Sequence, residues 1–237
     1  MNPIFERSLL VFGEHGLQQL NQSHVLVAGV GGVGGFVIEA LARAGVGKIT
    51  IVDHDVVSVS NINRQIIALH STVGLYKVDV MKQRVADINP DCEIVSLNTF
   101  LKAADMEALF ETKFDYVVDA IDSLNSKVSL VEVAYRSGLK VVSSMGAGRR
   151  IDPSKIELVD VSKTHGCGLA RQFRQRLRKR GISKGIATVF STELPMPAGP
   201  MEEIEGARGR VVNGTASYMP GIFGLMLSGF VIKEIAS

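Results

Sequence analysis

Cysteine is nearly absent from this sequence. The 237 residues contain two, Cys92 and Cys167, and no C-x-x-C pair. A disulfide framework and a four-thiolate zinc site are therefore excluded, and the sparse thiols fit a reducing, cytoplasmic setting. Strong charge of either sign is missing too, since the formal net charge is +2. Overall charge thus points to no partner. Repeats and low-complexity tracts are absent. Met1 to Asn21 carries charges and lacks an apolar core, so no secretory signal is expected. What remains, with 46 % hydrophobic content, is enough for one sizeable α/β domain over residues 1–237 with a small appendage.

The stretch Val25 to Gln65 organises the rest. Val25 to Ala28 is an apolar, β-favouring run. Gly29-Val30-Gly31-Gly32-Val33-Gly34 follows and fits G-x-G-x-x-G, with glycines 29, 31 and 34 at the pattern positions and Gly32 between them. A helical pattern comes next, with Val37, Leu41 and Ala44 on one face. A second strand, Ile49 to Val52, ends at Asp53. Strand, glycine turn, helix, strand and acid is the context of a nucleotide site. Glycines let the backbone approach phosphates, the helix N-terminus offers unpaired N–H groups, and Asp53 can accept from ribose hydroxyls. The alternative is a glycine turn that only packs helix on strand.

NAD is the default ligand of this fingerprint. The next residues favour a triphosphate, because two fixed cations, Arg64 and Lys77, exceed what a pyrophosphate requires. Asp53-His54-Asp55, Ser60-Asn61-Ile62-Asn63-Arg64-Gln65 and Gly74-Leu75-Tyr76-Lys77 together form D-x-D-x-V-x-x-S-N-x-x-R-Q followed by G-x-x-K. This block resembles the ThiF/MoeB/ubiquitin-activating superfamily, whose members adenylate carboxylates with ATP. The resemblance implies a doubly wound, Rossmann-like α/β fold with a mostly parallel sheet. It also implies an ATP site of Gly29, Gly31, Gly32, Gly34, Asp53, Asp55, Asn61, Asn63, Arg64, Gln65, Lys77, Asp122 and Ser123, with Arg64, Lys77, Asp122 and Arg7 catalytic. Arg7, in the N-terminal helix, would reach a partner subunit's site, so a homodimer is implied.

Further along, Pro3 to Leu20 reads as a helix broken near Gly13. Asn61 to Leu69 reads as an irregular loop or short helix. Helices are expected at Lys77 to Ile88, Ala103 to Phe110 and Leu124 to Arg136, with strands at Glu93 to Leu97, Tyr116 to Ala120, Lys140 to Ser144 and Ile156 to Val161. Asp122 lies beyond the Tyr116 strand, where doubly wound folds bind ligands. A carboxylate beside ATP needs a cation between them, so Asp122 implies Mg²⁺. It can also cap the Leu124 helix. Asp119 can be partly structural.

Charge is unevenly distributed. Met145 to Lys184 holds eleven Lys and Arg against three Asp and Glu. Within it, Arg171, Arg174, Arg176, Arg178, Lys179 and Arg180 surround the four-residue spacing of Leu169, Phe173 and Leu177. A basic helical insertion at about 163–184 with one packed face suits a polyanion such as RNA. A solvated basic face, or an anionic membrane surface, are the alternatives. Missing cysteine pairs disfavour thiol relay to a small carrier protein. The branch of the superfamily that dehydrates threonylcarbamoyladenosine in tRNA needs neither zinc nor carrier. It is resembled at Asn89-Pro90, Val118 to Ser123, Gly146-Ala147-Gly148 with Ile151-Asp152-Pro153, Val161 to Thr164, and Val189 to Glu193. That branch implies tRNA as substrate, admits a sulfur-transfer system (desulfurase and acceptor) as partner, and leaves Cys167 without a role. Adenylation of a small ubiquitin-like sulfur carrier is the other enzyme reading. Thr192 to Arg210, rich in Pro, Gly and Glu, is expected as a mobile loop or lid. Val211 to Ile232 contains 22 residues without a charge. Its four glycines and several polar residues favour a buried or dimer-lining helix, at about 215–235, over a membrane span.

Overall fold

The computed structural model describes residues 2–199, 201, 202, 210, 211 and 213–237. Its main sheet has seven strands: β1 (His24–Ala28), β2 (Lys48–Asp53), β3 (Glu93–Asn98), β4 (Tyr116–Asp119), β5 (Lys140–Ser144), β6 (Ile156–Asp160) and β7 (Ala187–Ser191). Their order is β3-β2-β1-β4-β5-β7-β6, parallel throughout except for the antiparallel β6–β7 pair. The chain winds outward from β1 in both directions, so the topological switch point lies between β1 and β4. Ligands of open α/β sheets bind there, beyond the carboxyl ends of the strands.

Helices cover both faces: α1 (Glu6–Gln22), α2 (Gly34–Ala44), α3 (Lys77–Ile88), the one-turn α4 (Met106–Leu109), α5 (Leu124–Arg136), α6 (Gly168–Lys179) and α7 (Met219–Ala236). Strand alternation splits the core in two. Val25 and Val27 of β1 face a cluster with Val37, Leu41, Met81, Phe223 and Leu227. Leu26 and Ala28 face another with Val128, Val131, Phe173 and Leu177. Fully burying one such aliphatic or aromatic side chain contributes roughly 1.5–3 kcal/mol. The N-terminal helix turns at Gly13, where φ is +69°, as the glycine suggested.

Helix α7 is apolar nearly all round and packs Phe223, Leu227 and Val231 inward. By length and composition alone it could cross a membrane. Its Gly224 lies so close to α2 that a Cβ would sit 2.5 Å from the Val33 carbonyl oxygen. The helix thus abuts the start of α2.

Three expectations need correction. The Ala103 to Phe110 helix is only a 3₁₀ turn, Ala103–Asp105, plus the single turn α4. Strand β7 is unanticipated, because a five-residue run with Thr188 in its interior carries too short a pattern to separate it from the adjoining loops. In the expected lid, 201–202 pair with 210–211 as a two-stranded ribbon, β8 (Met201–Glu202) and β9 (Arg210–Val211). Residues 203–209 lie outside the described ones.

Candidate active site

Glycine is required where β1 hands over to α2. Gly29 has φ +97°, and a Cβ there would lie 2.6 Å from the Ala120 carbonyl oxygen. At Gly34 a Cβ would lie 1.7 Å from the Gly29 oxygen. No side chain fits either position. The amides of Gly31, Gly32 and Val33 make no backbone hydrogen bond among the described residues, while Gly35 already donates to the Gly31 oxygen at 2.9 Å. Unpaired N–H groups at a helix N-terminus form an anion cradle.

Asp53 fixes that loop. One of its carboxylate oxygens accepts from the Val30 amide at 2.7 Å and the other from the Asp55 amide at 2.9 Å. Each oxygen retains a lone pair for a ribose hydroxyl. Asp55 in turn accepts from the Lys77 ammonium at 2.7 Å, and the Lys77 amide donates to the Asp55 carbonyl at 3.0 Å. Lys77 is 5 % exposed and opens α3, so its charge is held on the site side of the sheet by Asp55.

The Asn-Arg-Gln block closes the other side. Residues Val59–Asn61 form a 3₁₀ turn, in which the Asn61 side chain accepts from the Ser58 amide. The Arg64 guanidinium donates to the Ser60 carbonyl and to the Asn63 side chain, both at 2.8 Å. The Arg64 carbonyl lies 3.3 Å from where a Cβ on Gly32 would be, and the Gln65 amide nitrogen 3.9 Å from one on Gly31. Gln65 is 7 % exposed, and its side-chain oxygen has no hydrogen-bond partner among the described residues. A buried, orphaned amide facing a glycine loop suits a polar ligand. Chain residues far away in sequence complete the wall. Pro220 lies 3.0 Å from the Gly32 Cβ position, and Asn63 donates to the Thr215 carbonyl at 3.0 Å.

On the β4 side, Asp119 is fully buried and pairs with the equally buried Lys127 at 2.6 Å. Ser143 also donates to Asp119, and Lys127 donates to the Ser144 carbonyl at 2.9 Å. Burial pushes the Asp119 carboxyl above the usual carboxylate range, against the pull of Lys127 and Ser143. Asp122, by contrast, is exposed and makes no hydrogen bond or ion pair among the described residues. Ser123, not Asp122, sits at the cap position of α5, and its side chain makes no capping bond. Arg7 is exposed on α1, with no partner in its own chain among the described residues.

The basic helix α6 buries Ala170, Phe173 and Leu177. Its cations divide. Arg174 donates to the Thr164 carbonyl at 2.6 Å and to its hydroxyl, Arg176 to the Asn125 side chain, and Arg180 pairs with Glu132. Arg171, Arg178 and Lys179 are exposed and make no such contact among the described residues. The six cations thus differ in their surroundings. Three are engaged by the chain itself, because their neighbours in space, not in sequence, supply acceptors.

A profile of the ThiF family matches residues 5–237. The chain belongs to the ThiF family. Within it, a Bacillus subtilis protein named tRNA threonylcarbamoyladenosine dehydratase is 40 % identical over 98 % of this chain and 94 % of its own length. The solved Escherichia coli tRNA N6-threonylcarbamoyladenosine dehydratase in complex with ATP superposes with a TM-score of 0.88. It is 35 % identical, over 98 % of this chain and 93 % of that one. The same E. coli enzyme has been solved with AMP, at a TM-score of 0.87 and 35 % identity over 97 % and 92 % of the two chains.

For this ThiF-family chain the structure brings the glycine loop, Asp53, Asn63, Arg64, Gln65 and the Ala120 turn together at the switch point, with Lys77 linked through Asp55. Sequence reasoning missed Lys127. A lysine inside an apolar helical pattern is ordinarily an exposed residue, and only its eight-residue spacing from Asp119 hinted at a partner. Cys92 offers no activated thiol. Burial, aided by Glu93, pushes Cys92 up to about 11.

Proposed function

We propose that this chain is an ATP-dependent tRNA threonylcarbamoyladenosine dehydratase of the cytoplasm, working as one unit over residues 1–237. One observation carries the reading: a glycine loop with no room for a side chain at Gly29 or Gly34 has Arg64, Gln65 and the Ala120 turn beside it. The identity to the B. subtilis dehydratase over nearly the whole chain supports it.

The threonyl carboxylate of the modified adenosine attacks the α-phosphorus of ATP. The bond to pyrophosphate breaks, and an acyl-adenylate forms. A nitrogen of the same modification then attacks the acyl carbon, loses its proton, and expels AMP as the ring closes. One water is lost overall from the nucleoside. The unpaired loop amides receive phosphate oxygens, and Arg64 and Lys77 offset the charge that builds on the leaving group. Asn61 caps the Ser58 turn and Asn63 holds Arg64 in place, Gln65 offers its side-chain amide to the ligand, and Asp53 and Asp55 fix the glycine loop and Lys77. Asp122, with Ser123 beside it, would hold a magnesium ion against the phosphates, where the ion supplies neutralisation. An intramolecular nucleophile makes a catalytic cysteine unnecessary. Arg7 would act on the site of a second copy, which makes the working enzyme a homodimer. The exposed Leu10 and Val11 next to it, 78 % and 75 % accessible, suit such a contact. Arg171, Arg178 and Lys179 meet tRNA phosphates.

The test is ATP consumption by the purified protein with tRNA carrying threonylcarbamoyladenosine, followed by mass analysis of the digested nucleosides. Loss of 18 Da as water, in roughly equal amount to the AMP formed, is expected. ATP turnover only with a Gly-Gly-tailed carrier protein, and unchanged tRNA, overturns the reading in favour of carrier activation.

A further inference from the structure

Lys127 and Asp119 are the most deeply buried charges of the described residues, both with no exposed side-chain surface, and the chemistry above uses neither. A buried ion pair is weak evidence for stability, since apolar replacements of similar volume are often neutral or better. Its connections suggest another task. Lys127 donates to Asp119 on β4 and to the Ser144 carbonyl at the end of β5, and its ammonium lies 5.9 Å from the centre of the Phe173 ring on α6. The other Asp119 oxygen accepts from the Ile121 amide at 3.2 Å. That bond sets the peptide whose neighbouring Ala120 oxygen faces Gly29 of the nucleotide loop. Phe173 is the buried centre of the basic helix, three residues before Arg176, which is bonded to Asn125 in the first turn of α5. One ammonium therefore reaches the β5 exit and the helix that carries the exposed cations directly, and the nucleotide turn through Asp119.

We propose that the Asp119–Lys127 pair is a positioning element that couples nucleotide binding at the glycine loop to polyanion binding on α6. It rests on the reading of α6 as a tRNA surface and not on the dehydration chemistry. Nucleotide phosphates that draw the Ala120–Asp122 turn toward Gly29 shift the Asp119 carboxylate. Lys127 follows it, because a buried carboxylate without its partner is costly, and the Phe173 side of α6 moves with Lys127. Coupling of this kind is reciprocal, with typical factors of about 5–150.

The experiment measures tRNA affinity with and without a non-hydrolysable ATP analogue, in the wild type and in the paired variant Asp119→Asn/Lys127→Met. The pair is removed together because a single change would strand a buried charge. Thermal unfolding and analogue affinity alone serve as folding controls. Expected is at least about a fivefold change of tRNA affinity with the analogue in the wild type, and less than about twofold in the variant. The variant's separate affinities should stay within about threefold of the wild type. A purely structural pair would leave the linkage intact, whatever the change in melting temperature. Equal linkage in both proteins, or none in the wild type, overturns the proposal. A second neutral pair, Asp119→Leu/Lys127→Leu, replaces the first should it fail to fold, with the same two outcomes. Linkage without dehydration of the modified nucleoside sinks the dehydratase reading alone.

Discussion

The glycine loop and the basic helix both present hydrogen-bond donors that could meet an anion, and they are made in opposite ways. At the loop, backbone does the work. Gly29 and Gly34 leave no room for a side chain, and three charged neighbours are pinned: Asp53 by two amides, Lys77 by Asp55, Arg64 by Ser60 and Asn63. On α6, side chains do the work, and half of them are left unpinned. The loop is suited to one small ligand in one pose. The helix is suited to a large, repetitive anion held by charge density. Rigid recognition needs shape, whereas phosphate-backbone recognition needs mobile cations.

The contrast can be broken at its rigid end with the largest effect. Gly34→Ala should abolish detectable ATP binding by calorimetry, because its Cβ would overlap the Gly29 carbonyl oxygen at 1.7 Å. Arg64→Ala should keep the fold and lower kcat by about 10³ or more, read as AMP formation at saturating substrates. At the other end, replacing Arg171, Arg178 and Lys179 together by alanine should raise KM for tRNA by about 10–100-fold. It should also flatten the dependence of log affinity on log salt by about three units, and leave KM for ATP unchanged. An unchanged salt slope would make α6 a solvated face. Within α6 the division of cations can be sharpened. Arg174→Ala should cost about 1–2 kcal/mol in thermal or denaturant unfolding, since it strips the donor from the Thr164 carbonyl and hydroxyl. Arg178→Ala should stay within about 0.5 kcal/mol.

The smallest effect lies away from both surfaces. Burial, and then the Lys48 charge, hold His24 below its ordinary value. The folded state therefore prefers the neutral ring. Stability from this residue is complete above the unfolded value, about 6.5, and is lost as pH falls from there through the lower folded value. A gentle decline in melting temperature from pH 7 to 5 should flatten in His24→Gln. An undiminished slope would assign the decline to other groups.

Most of the fold was legible because its signals are local. The glycine fingerprint, the apolar runs of β1, β2 and β4, and the 3.6-residue pattern of Lys77 to Ile88 each lie within a dozen residues. The site block was legible for the same reason, since Asp53 to Lys77 is nearly contiguous. What escaped depends on distant partners. Strand β7 is recognisable only once β5 and β6 flank it. Lys127 reads as a surface lysine until Asp119 and Ser144 surround it. The engagement of Arg180 depends on Glu132, and that of Arg176 on Asn125, both on another helix.

The contact between Asn63 and Thr215 spans 152 positions along the chain, and Pro220 closes on Gly32 over a longer interval still. During synthesis, then, the glycine loop and the Asn-Arg-Gln block leave the ribosome long before the segment that walls them in. A nascent chain paused before Asn213 would carry the whole recognition sequence yet lack the wall at Gly32. A chain ending before Asn213 should therefore bind ATP more weakly than the full-length chain, however much of the recognition block it carries.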